Sequence, residues 1–296
     1  MNYAIEFIKS NIQAKNTGVL IYLILNVFII VSYFTLYIPS IFGVIVGILI
    51  YGASIWLAMS PLGEKVLQWQ LGAKEIVREE QLNRLMPLFE EVYEKAKKEH
   101  PNLQEDIKLY IKNDNEQNAF ATGRRTICVN RGLLELSDDK IKAVLAHEFG
   151  HLSNKDTDFI LFITIGNLFV TIGFTIARWI FLTIGIIIGI FNRSIGQIAI
   201  TLLVDFILLG LMKLWTKLGS YLVLKTSRDN EYKADEFAHK IGYGNALIDV
   251  IDSFNGKNYE TKGLFATLAA SHPDPDQRIG HLQQLRRNEN QLSELS

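Results

Sequence analysis

The sequence has one cysteine, six histidines and almost no net charge. Each of these low values limits the kinds of bond, site or partner that the protein can have. Its single cysteine, Cys128, allows no internal disulfide and suits a reducing compartment. Cys128 lies in the strand-like run 126–129, where a packed thiol is favoured over a metal or redox role. The net charge of -1 gives no indication of nucleic-acid binding. No internal repeat or low-complexity segment is present.

Hydrophobic and charged residues are both plentiful, which indicates that they are separated along the chain. Hydrophobic residues make up 49% of the sequence and charged residues 21%, with a mean hydropathy of +0.16. A chain with these values is expected to divide into apolar membrane spans and a polar domain.

Four apolar stretches are each close to the ~20 residues that cross a bilayer. They cover residues 18–38, 41–59, 159–177 and 195–212. Because only Pro39 and Ser40 separate the first two, these stretches predict a tight helical hairpin. The first stretch lacks the shorter apolar core and the following small residues of a cleaved signal peptide. A further apolar run, 179–191, is too short to span alone, and it either extends the third helix or lies at the membrane interface.

Basic residues flank the spans unevenly, which sets the expected orientation. Most of them fall before the first span, after the second and at the end of the fourth: Lys9, Lys15, Lys65, Lys74, Arg78, Lys213, Lys217 and Lys225. Only Arg178 and Arg193 fall between the third and fourth. Since positive charge prefers the cytoplasmic side, both termini and the soluble parts are expected to face the cytosol. The expected location is the cell (plasma) membrane. The first twelve residues are either a short interfacial helix or a frayed terminus.

The segment between the second and third spans predicts an α+β arrangement. Residues 76–96 carry apolar side chains at helical intervals, which indicates one or two helices with a break near Pro87. A strand, a hairpin and a second helix are predicted after it, at residues 107–111, at residues 118–122 with 126–130, and from Ser137 onwards. The tail after Gln284 is polar and is expected to be disordered.

Within the second helix, the run His147-Glu148-Phe149-Gly150-His151 places two imidazoles four residues apart. Side chains at i and i+4 share one helix face, so two His nitrogens can occupy two corners of a zinc tetrahedron. Glu148 then stands beside the metal as a base. Two ordinary helical histidines are the alternative, but a chain with six histidines rarely has this pattern by chance.

Two histidines alone do not hold a catalytic metal, so a third ligand must lie elsewhere. Glu231 and Asp235 are one helical turn apart, which allows one carboxylate to bind zinc while the other orients a ligating imidazole. A solvated acidic helix face is the alternative for this pair. Glu231 can share an ion with the histidines only if the apolar region between them crosses the membrane an even number of times. The two predicted spans satisfy this condition.

Asp205 lies inside the fourth apolar stretch, where an unpaired carboxylate is unfavourable. Three interpretations remain open for this residue. It lines a polar route from the bilayer to the zinc, it pairs with a neighbouring helix, or it is protonated in place.

Four groups of residues together resemble the HtpX-type membrane zinc metalloproteases, which are gluzincins related to the CAAX prenyl endopeptidase. They are residues 147–151, the turn from Glu231 to Asp235, residues 118–123 and residues 271–273. The resemblance covers nearly the whole chain and implies an α+β, multi-pass membrane protein with four transmembrane helices and a zincin-like cytosolic domain. It also implies cleavage of membrane proteins, typically damaged or misfolded ones, with one zinc ion per chain.

The same resemblance implies roles for further residues. An edge strand above the cleft, with which an extended substrate pairs by strand addition, would comprise Asn118, Ala119, Phe120 and Ala121. An ordinary edge strand is the alternative. His272 would stabilise the oxyanion with support from Arg278, and the alternatives are a plain loop residue and a surface charge.

The expected mechanism follows from the ligands. Zinc held by His147, His151 and Glu231 would keep a fourth position for water and lower the pKa of that water to about 7. Glu148 would take the proton and deliver it to the leaving amine. One alternative is specific CAAX-like processing, although that relative is expected to have more spans. The other is a non-catalytic zinc-binding membrane scaffold, which would not need Glu148.

The expected organisation has five segments. They are an N-terminal cytosolic or interfacial segment (1–17), a transmembrane hairpin (18–60), the first part of the catalytic domain (61–157), a second transmembrane region (158–224), and the second part of the catalytic domain (225–296). The expected partners are membrane-protein substrates and the lipid bilayer, without nucleic acid.

Overall fold

A computed structural model describes residues 17–58, 60–155, 157–254 and 274–295. Most of the expected N-terminal segment and the candidate oxyanion residue His272 therefore lie outside the described residues. Over the described residues the chain forms two compact units. The helical unit comprises Asn11–Ser60 and Phe162–Val223, and the sheet unit comprises Pro61–Leu161 and Leu224–Ser296.

The helices are α1 Thr17–Tyr37, α2 Ile41–Ala58, α3 Pro61–Leu71, α4 Glu79–Glu99, α5 Asp138–Asn154, α6 Thr157–Phe191, α7 Ile195–Lys240, α8 Gly244–Phe254 and α9 Pro275–Leu295. The strands are β1 Lys74–Glu75, β2 Lys108–Lys112, β3 Ala119–Thr122 and β4 Thr126–Asn130, and a 3-10 helix follows at Arg131–Glu135.

Four helices in the described part of the chain are long and apolar enough to cross a membrane, which confirms the predicted number. Their apolar windows are Leu20–Tyr37, Ile41–Ala58, Val170–Phe191 and Ile195–Gly219. The run 179–191 continues α6 without a break, so the structure shows the first of its two alternatives. The predicted stretch 159–177 and the third window lie in the same continuous helix, α6, which is much longer than a bilayer requires.

Glycines allow close packing within each membrane hairpin. A Cβ atom at Gly47 of α2 would lie 2.7 Å from the Cα of Val31 in α1. A Cβ at Gly185 of α6 would lie 2.5 Å from the Cγ2 of Thr201 in α7. Small residues serve this purpose in membrane helices because apolar burial adds little to association between helices in lipid.

Several polar side chains in the helical unit pair with one another. The Nε of Arg178 lies 2.9 Å from the Oδ1 of Asp205, an ion contact whose angles are not those of a hydrogen bond. Asp205 of α7 therefore pairs with Arg178 of the neighbouring helix α6, which is the second of the three interpretations. The indole Nε1 of Trp215 donates to the Oδ1 of Asn26 over 3.1 Å, and the ring of Trp215 stacks on Tyr22.

The sheet unit contains the predicted strand and hairpin. Its four strands have the order β1-β2-β4-β3, with β4 parallel to β2 and antiparallel to β3. Gly123 has a φ of 60° in the hairpin turn, a conformation that glycine adopts without a steric penalty. Helices α4 and α5 pack with the sheet around a buried core that includes Leu85, Phe89, Ile127 and Phe149. The α+β class with membrane helices is thereby confirmed.

Three local predictions need correction. The predicted break at Pro87 is wrong, because α4 continues through it and buries Leu85, Leu88, Phe89 and Val92 on one face. The tail predicted to be disordered after Gln284 is helical as part of α9, whose Leu282 is fully buried. Ser137 precedes α5 as predicted, but its side chain makes no capping hydrogen bond.

Candidate metal centre

Helix α5 carries the two-histidine motif into the core of the sheet unit. Asp138 and Asp139 occupy its first turn, where negative charge is favourable. Arg84 of α4 fixes the start of α5, because its guanidinium donates to the carbonyl oxygens of Leu134 and Leu136 and pairs with Asp138. The motif therefore begins two turns into a helix that is anchored at its N-terminus.

Helix α7 brings Glu231 and Asp235 against the motif, and a glycine permits the approach. A Cβ at Gly150 would lie 2.7 Å from the Cα of Ala234, which stands next to Asp235. No side chain fits at that distance, so Gly150 sets how closely the two helix backbones meet. Sequence reasoning missed this role, although a glycine inside the motif and an alanine beside Asp235 are its visible signal.

Three donor atoms converge at this contact in a pattern that suits zinc. The Nε2 atoms of His147 and His151 lie 3.2 Å apart, and each lies 3.4 Å from one carboxylate oxygen of Glu231. Ligands about 2.0–2.1 Å from a tetrahedral zinc ion are separated from each other by roughly 3.3 Å. Two imidazoles and one carboxylate, largely buried and spaced in this way, fit three zinc ligands.

Asp235 lies behind His147 rather than among the three donors. Its Oδ1 is 2.8 Å from the Nδ1 of His147, which leaves Nε2 directed at the convergence point. Arg278 of α9 donates two hydrogen bonds to the Asp235 carboxylate, over 2.8 and 2.6 Å, and lies 3.6 Å from Glu231. Arg278 is 6% exposed, so its alternative as a surface charge is excluded.

Burial and charge act in opposite directions on the pKa values of these groups. Burial favours neutral His147, but hydrogen bonds to Asp235 and Glu231 outweigh it and raise the pKa of His147. Burial likewise disfavours charged Asp235, but hydrogen bonds from Arg278 and His147 hold the pKa of Asp235 below its ordinary value. Asp235 and Arg278 therefore form a buried ion pair, and the Asp235 carboxylate orients the imidazole of His147.

Glu148 faces the edge of the sheet. The backbone N–H of Ala121 in β3 donates to its Oε2 over 2.5 Å, and the glutamate is 4% exposed. Among the described strands, β3 is the last of the sheet on this side. The predicted general base and the predicted substrate strand are thus in direct contact.

The register of the hairpin identifies which backbone groups of β3 face outward. The N–H of Asn130 donates to the carbonyl of Asn118, and Phe120 opposes Cys128 two residues on. Because hydrogen-bonded pairs alternate in an antiparallel ladder, Phe120 bonds to β4 while Ala119 and Ala121 direct their backbone groups away from β4. The side-chain Oδ1 of Asn118 accepts the N–H of Ala119 over 2.9 Å.

The structure thus brings together all predicted site residues that it describes. The three proposed ligands converge, Asp235 contacts one of them, and Glu148 contacts the edge strand. Arg278 contacts Asp235, while the proposed support of His272 falls outside the described residues. Sequence reasoning missed Glu64 of α3, which binds the turn of the β3–β4 hairpin. A lone glutamate after a membrane span gives no signal of such a partner.

Comparisons with known proteins agree with this geometry. A sequence profile of Peptidase family M48 matches residues 79–286, which include both the two-histidine helix and Glu231. The Protease HtpX homolog of Sulfurovum sp. (strain NBC37-1) is 29% identical over 209 residues, covering 60% of this chain and 69% of that protein. The Protease HtpX homolog of Aquifex aeolicus (strain VF5) is 29% identical over 282 residues, covering 83% and 85%.

Similarity also extends to solved structures. The crystal structure of S. mikatae Ste24p matches with a TM-score of 0.47 and 19% identity, over 86% of this chain. The chain spans 61% of the length of that structure. The profile match to residues 79–286 covers more than half of the sequence and, together with the HtpX relatives, confirms the resemblance drawn from the motifs. The chain is a membrane-associated protease that belongs to peptidase family M48.

Proposed function

We propose that this chain is a zinc-dependent endopeptidase that cleaves membrane proteins at the cytosolic face of the plasma membrane. The observation that carries the proposal is the convergence of His147, His151 and Glu231 with donor spacings of 3.2–3.4 Å. The M48 metalloprotease family implies zinc, and the buried donor set suits it. A non-catalytic scaffold would not require Glu148 beside these donors.

Each residue of the site has a proposed part in catalysis. When bound, zinc supplies a Lewis acid and an acidified water at the convergence point. Glu148 removes a proton from the attacking water and later delivers it to the leaving amine. Asp235 holds the Nδ1 proton of His147, and Arg278 keeps Asp235 ionised. His272 is proposed to stabilise the oxyanion.

The open edge of β3 is proposed to bind the substrate as an added strand. The backbone groups of Ala119 and Ala121 point away from β4, while Phe120 remains bonded to β4. An extended peptide that pairs with them would replace the bonds that their N–H groups now make to Asn118 and Glu148. The contact between Ala121 and Glu148 then places the paired peptide beside the base. Asn118 orders the start of this strand through its bond to Ala119.

The substrate class and organisation are proposed on the strength of the four apolar helices. A protease held in the bilayer meets membrane proteins, and quality control of damaged or misfolded ones is its proposed role. The basic flanks of the spans support a cytosolic site. The five segments 1–17, 18–60, 61–157, 158–224 and 225–296 are proposed as its organisation.

The test replaces Glu148 with glutamine in the full-length enzyme. We expect Glu148→Gln in zinc-loaded proteoliposomes to lose proteolysis by roughly 10²–10⁴-fold, the usual contribution of a general base. Its zinc content should equal that of the unaltered protein, because Glu148 is not a ligand. Cleavage of a destabilised membrane protein, followed by gel electrophoresis beside metal analysis, measures both quantities.

Glu94→Gln on α4 is the matched control, since Glu94 is exposed and the charge change is the same. It should retain full activity. Full turnover by the zinc-loaded Glu148→Gln enzyme would exclude the proposed base, and loss of zinc would indicate that Glu148 belongs to the ligand set.

A further inference from the structure

Helix α3 exposes apolar side chains on one face. Leu62 and Trp69 lie seven residues apart, so they share a face of the helix, and they are 56% and 81% exposed. Lys65 is exposed between them. Tryptophan next to lysine and leucine is typical of helices that lie in the headgroup layer of a membrane.

The chain itself keeps α3 close to the bilayer. Helix α2, an apolar span, ends at Ala58, and α3 begins at Pro61. Three residue steps reach about 11 Å at most when fully extended. If α3 stood upright, Trp69 would lie roughly 10 Å further from the membrane than Leu62. Only a helix lying flat keeps both side chains at one depth.

The opposite side of α3 holds the hairpin turn between β3 and β4. The Oε1 of Glu64 accepts hydrogen bonds from the backbone N–H groups of Arg124 and Arg125, over 3.2 and 2.7 Å. It also accepts the hydroxyl of Thr126 over 3.2 Å. One turn later, Gln68 donates to the same hydroxyl over 2.8 Å. A carboxylate bound by two backbone amides fixes the end of β3.

The start of α6 holds the same turn from another direction. The hydroxyl of Thr157, 4% exposed, donates to the carbonyl of Gly123 over 2.6 Å. A Cβ at Gly123 would lie only 3.1 Å from the Oε1 of Glu64, so the turn fits closely against the carboxylate. The strand that contacts Glu148 therefore ends in a turn tied to α3.

We propose that α3 binds the lipid headgroup layer through Leu62, Lys65 and Trp69 and, through Glu64, holds the substrate strand at that surface. Glu64 is then a positioning residue, because it acts on the substrate only through β3. This second part rests on the proposed function, whereas the lipid contact stands independently of it. In this arrangement the turn that ends β3 is held by α3, the helix that binds the headgroups.

A fluorescent label at position 69 tests the lipid contact. Trp69→Cys in full-length protein is labelled with a thiol-reactive dye and reconstituted into vesicles that contain anionic lipid. Cys128 stays unlabelled, because it is buried and its pKa is raised to about 12. Lys98→Cys on α4 is the exposed control. Nitroxide on the lipid headgroups and iodide in the buffer are the two quenchers.

We expect the label at position 69 to lose most of its emission to nitroxide lipid and little to iodide, with the reverse at position 98. Iodide quenching of equal extent at both positions would overturn the lipid contact. Nitroxide quenching of equal extent at both would overturn it as well, because α3 would then have no specific surface.

Substitution of Glu64 tests the positioning role with a fluorogenic extended peptide. Glu64→Ala should raise KM by about tenfold with kcat within roughly twofold, as expected when the two hydrogen bonds that hold the strand turn are lost. Glu64→Gln should restore KM to within about twofold, since its amide oxygen still accepts the two N–H groups. Glu80→Ala, an exposed site on α4, is the control for charge.

Each other outcome has one meaning. If Glu64→Ala lowers kcat and leaves KM unchanged, part of the enzyme is misfolded and inactive. This result would overturn the proposed positioning through β3. Equal losses in the alanine and glutamine variants would also overturn it. If the unaltered enzyme does not hydrolyse the peptide while the label at position 69 behaves as expected, the proposed function fails and the lipid contact stands.

Discussion

At the scale of single residues, the candidate site depends on a buried balance of charge. Glu231 and Asp235 place two carboxylates within one helical turn, and both are almost fully buried. Arg278 lies between them and offsets part of that charge. A buried ionic group is strongly destabilising when one partner is removed, so these side chains act as a unit.

The first prediction concerns Asp235→Asn and the pH dependence of zinc binding. Below the raised pKa of His147, zinc must displace a proton, so affinity falls as the pH falls through that pKa. Asparagine removes the charge that raises the pKa, and the decline should move to lower pH. At high pH we expect about 10–100-fold weaker zinc binding from the loss of the orienting carboxylate. Titration against a chromophoric chelator measures both effects.

Asp229→Asn on the same helix serves as the comparison, because Asp229 is exposed and should leave the titration unchanged. An unaltered pH midpoint in Asp235→Asn would contradict the role given to the carboxylate behind His147.

The sequence predicted the proposed ligands because their spacing is local. Two histidines four apart, and two acids four apart, share a helix face in any α-helix. The partner of Arg278 was not predictable in the same way, because it lies 43 residues away and depends on how α9 packs. The role of Gly150 was not predicted for a similar reason, because its close contact with Ala234 is a tertiary contact between two helices.

At the scale of elements, the membrane hairpins were predictable and the polar helices less so. Long apolar runs leave few alternatives to a spanning helix. The break predicted at Pro87 was wrong because a proline destabilises a helix locally, and this effect is visible in the sequence. The packing of Leu85, Phe89 and Val92, which keeps α4 continuous, is not visible there. Helix α9 was missed because its polar sequence conceals Leu282, which packs in the core.

The second prediction concerns the ion pair between α6 and α7. Arg178→Leu or Asp205→Leu should destabilise the protein by about 3–5 kcal/mol, since each leaves a charge without its partner in a low dielectric. The double variant should recover most of this loss, because apolar side chains suit the same position. Thermal unfolding in one detergent, followed by circular dichroism, compares the four proteins.

If Asp205→Leu alone leaves both stability and cleavage unchanged, the pair has neither a structural nor a functional role. If the double variant is as unstable as the single variants, the prediction is wrong, because the attraction between Arg178 and Asp205 then exceeds the free energy of desolvating the two charges.

At the scale of the whole molecule, the chain enters the helical unit twice and returns to the sheet unit each time. Pro61–Leu161 supplies the sheet and two proposed ligands, and Leu224–Ser296 supplies the third. Both parts must face the same aqueous compartment for the donors to meet. The short link 192–194 between α6 and α7 is then expected on the opposite side.

The third prediction tests this topology by labelling intact cells. Asn192→Cys should react with a membrane-impermeant maleimide added outside, because the link carries few basic residues and faces away from the cytosol. Glu94→Cys should react only after the membrane is opened. Labelling of Glu94→Cys in sealed cells would place the proposed site on the wrong face.

The division of the proposed zinc ligands around a membrane hairpin has a consequence in time. About 80 residues separate His151 from Glu231, and Arg278 follows later still. At the usual rate of synthesis, those 80 residues take roughly 4–16 seconds to emerge. Through that interval the nascent chain holds only two of the three ligands, so it passes the insertion machinery without an assembled site. The order of its segments by itself delays activity until the last ligand has been synthesised.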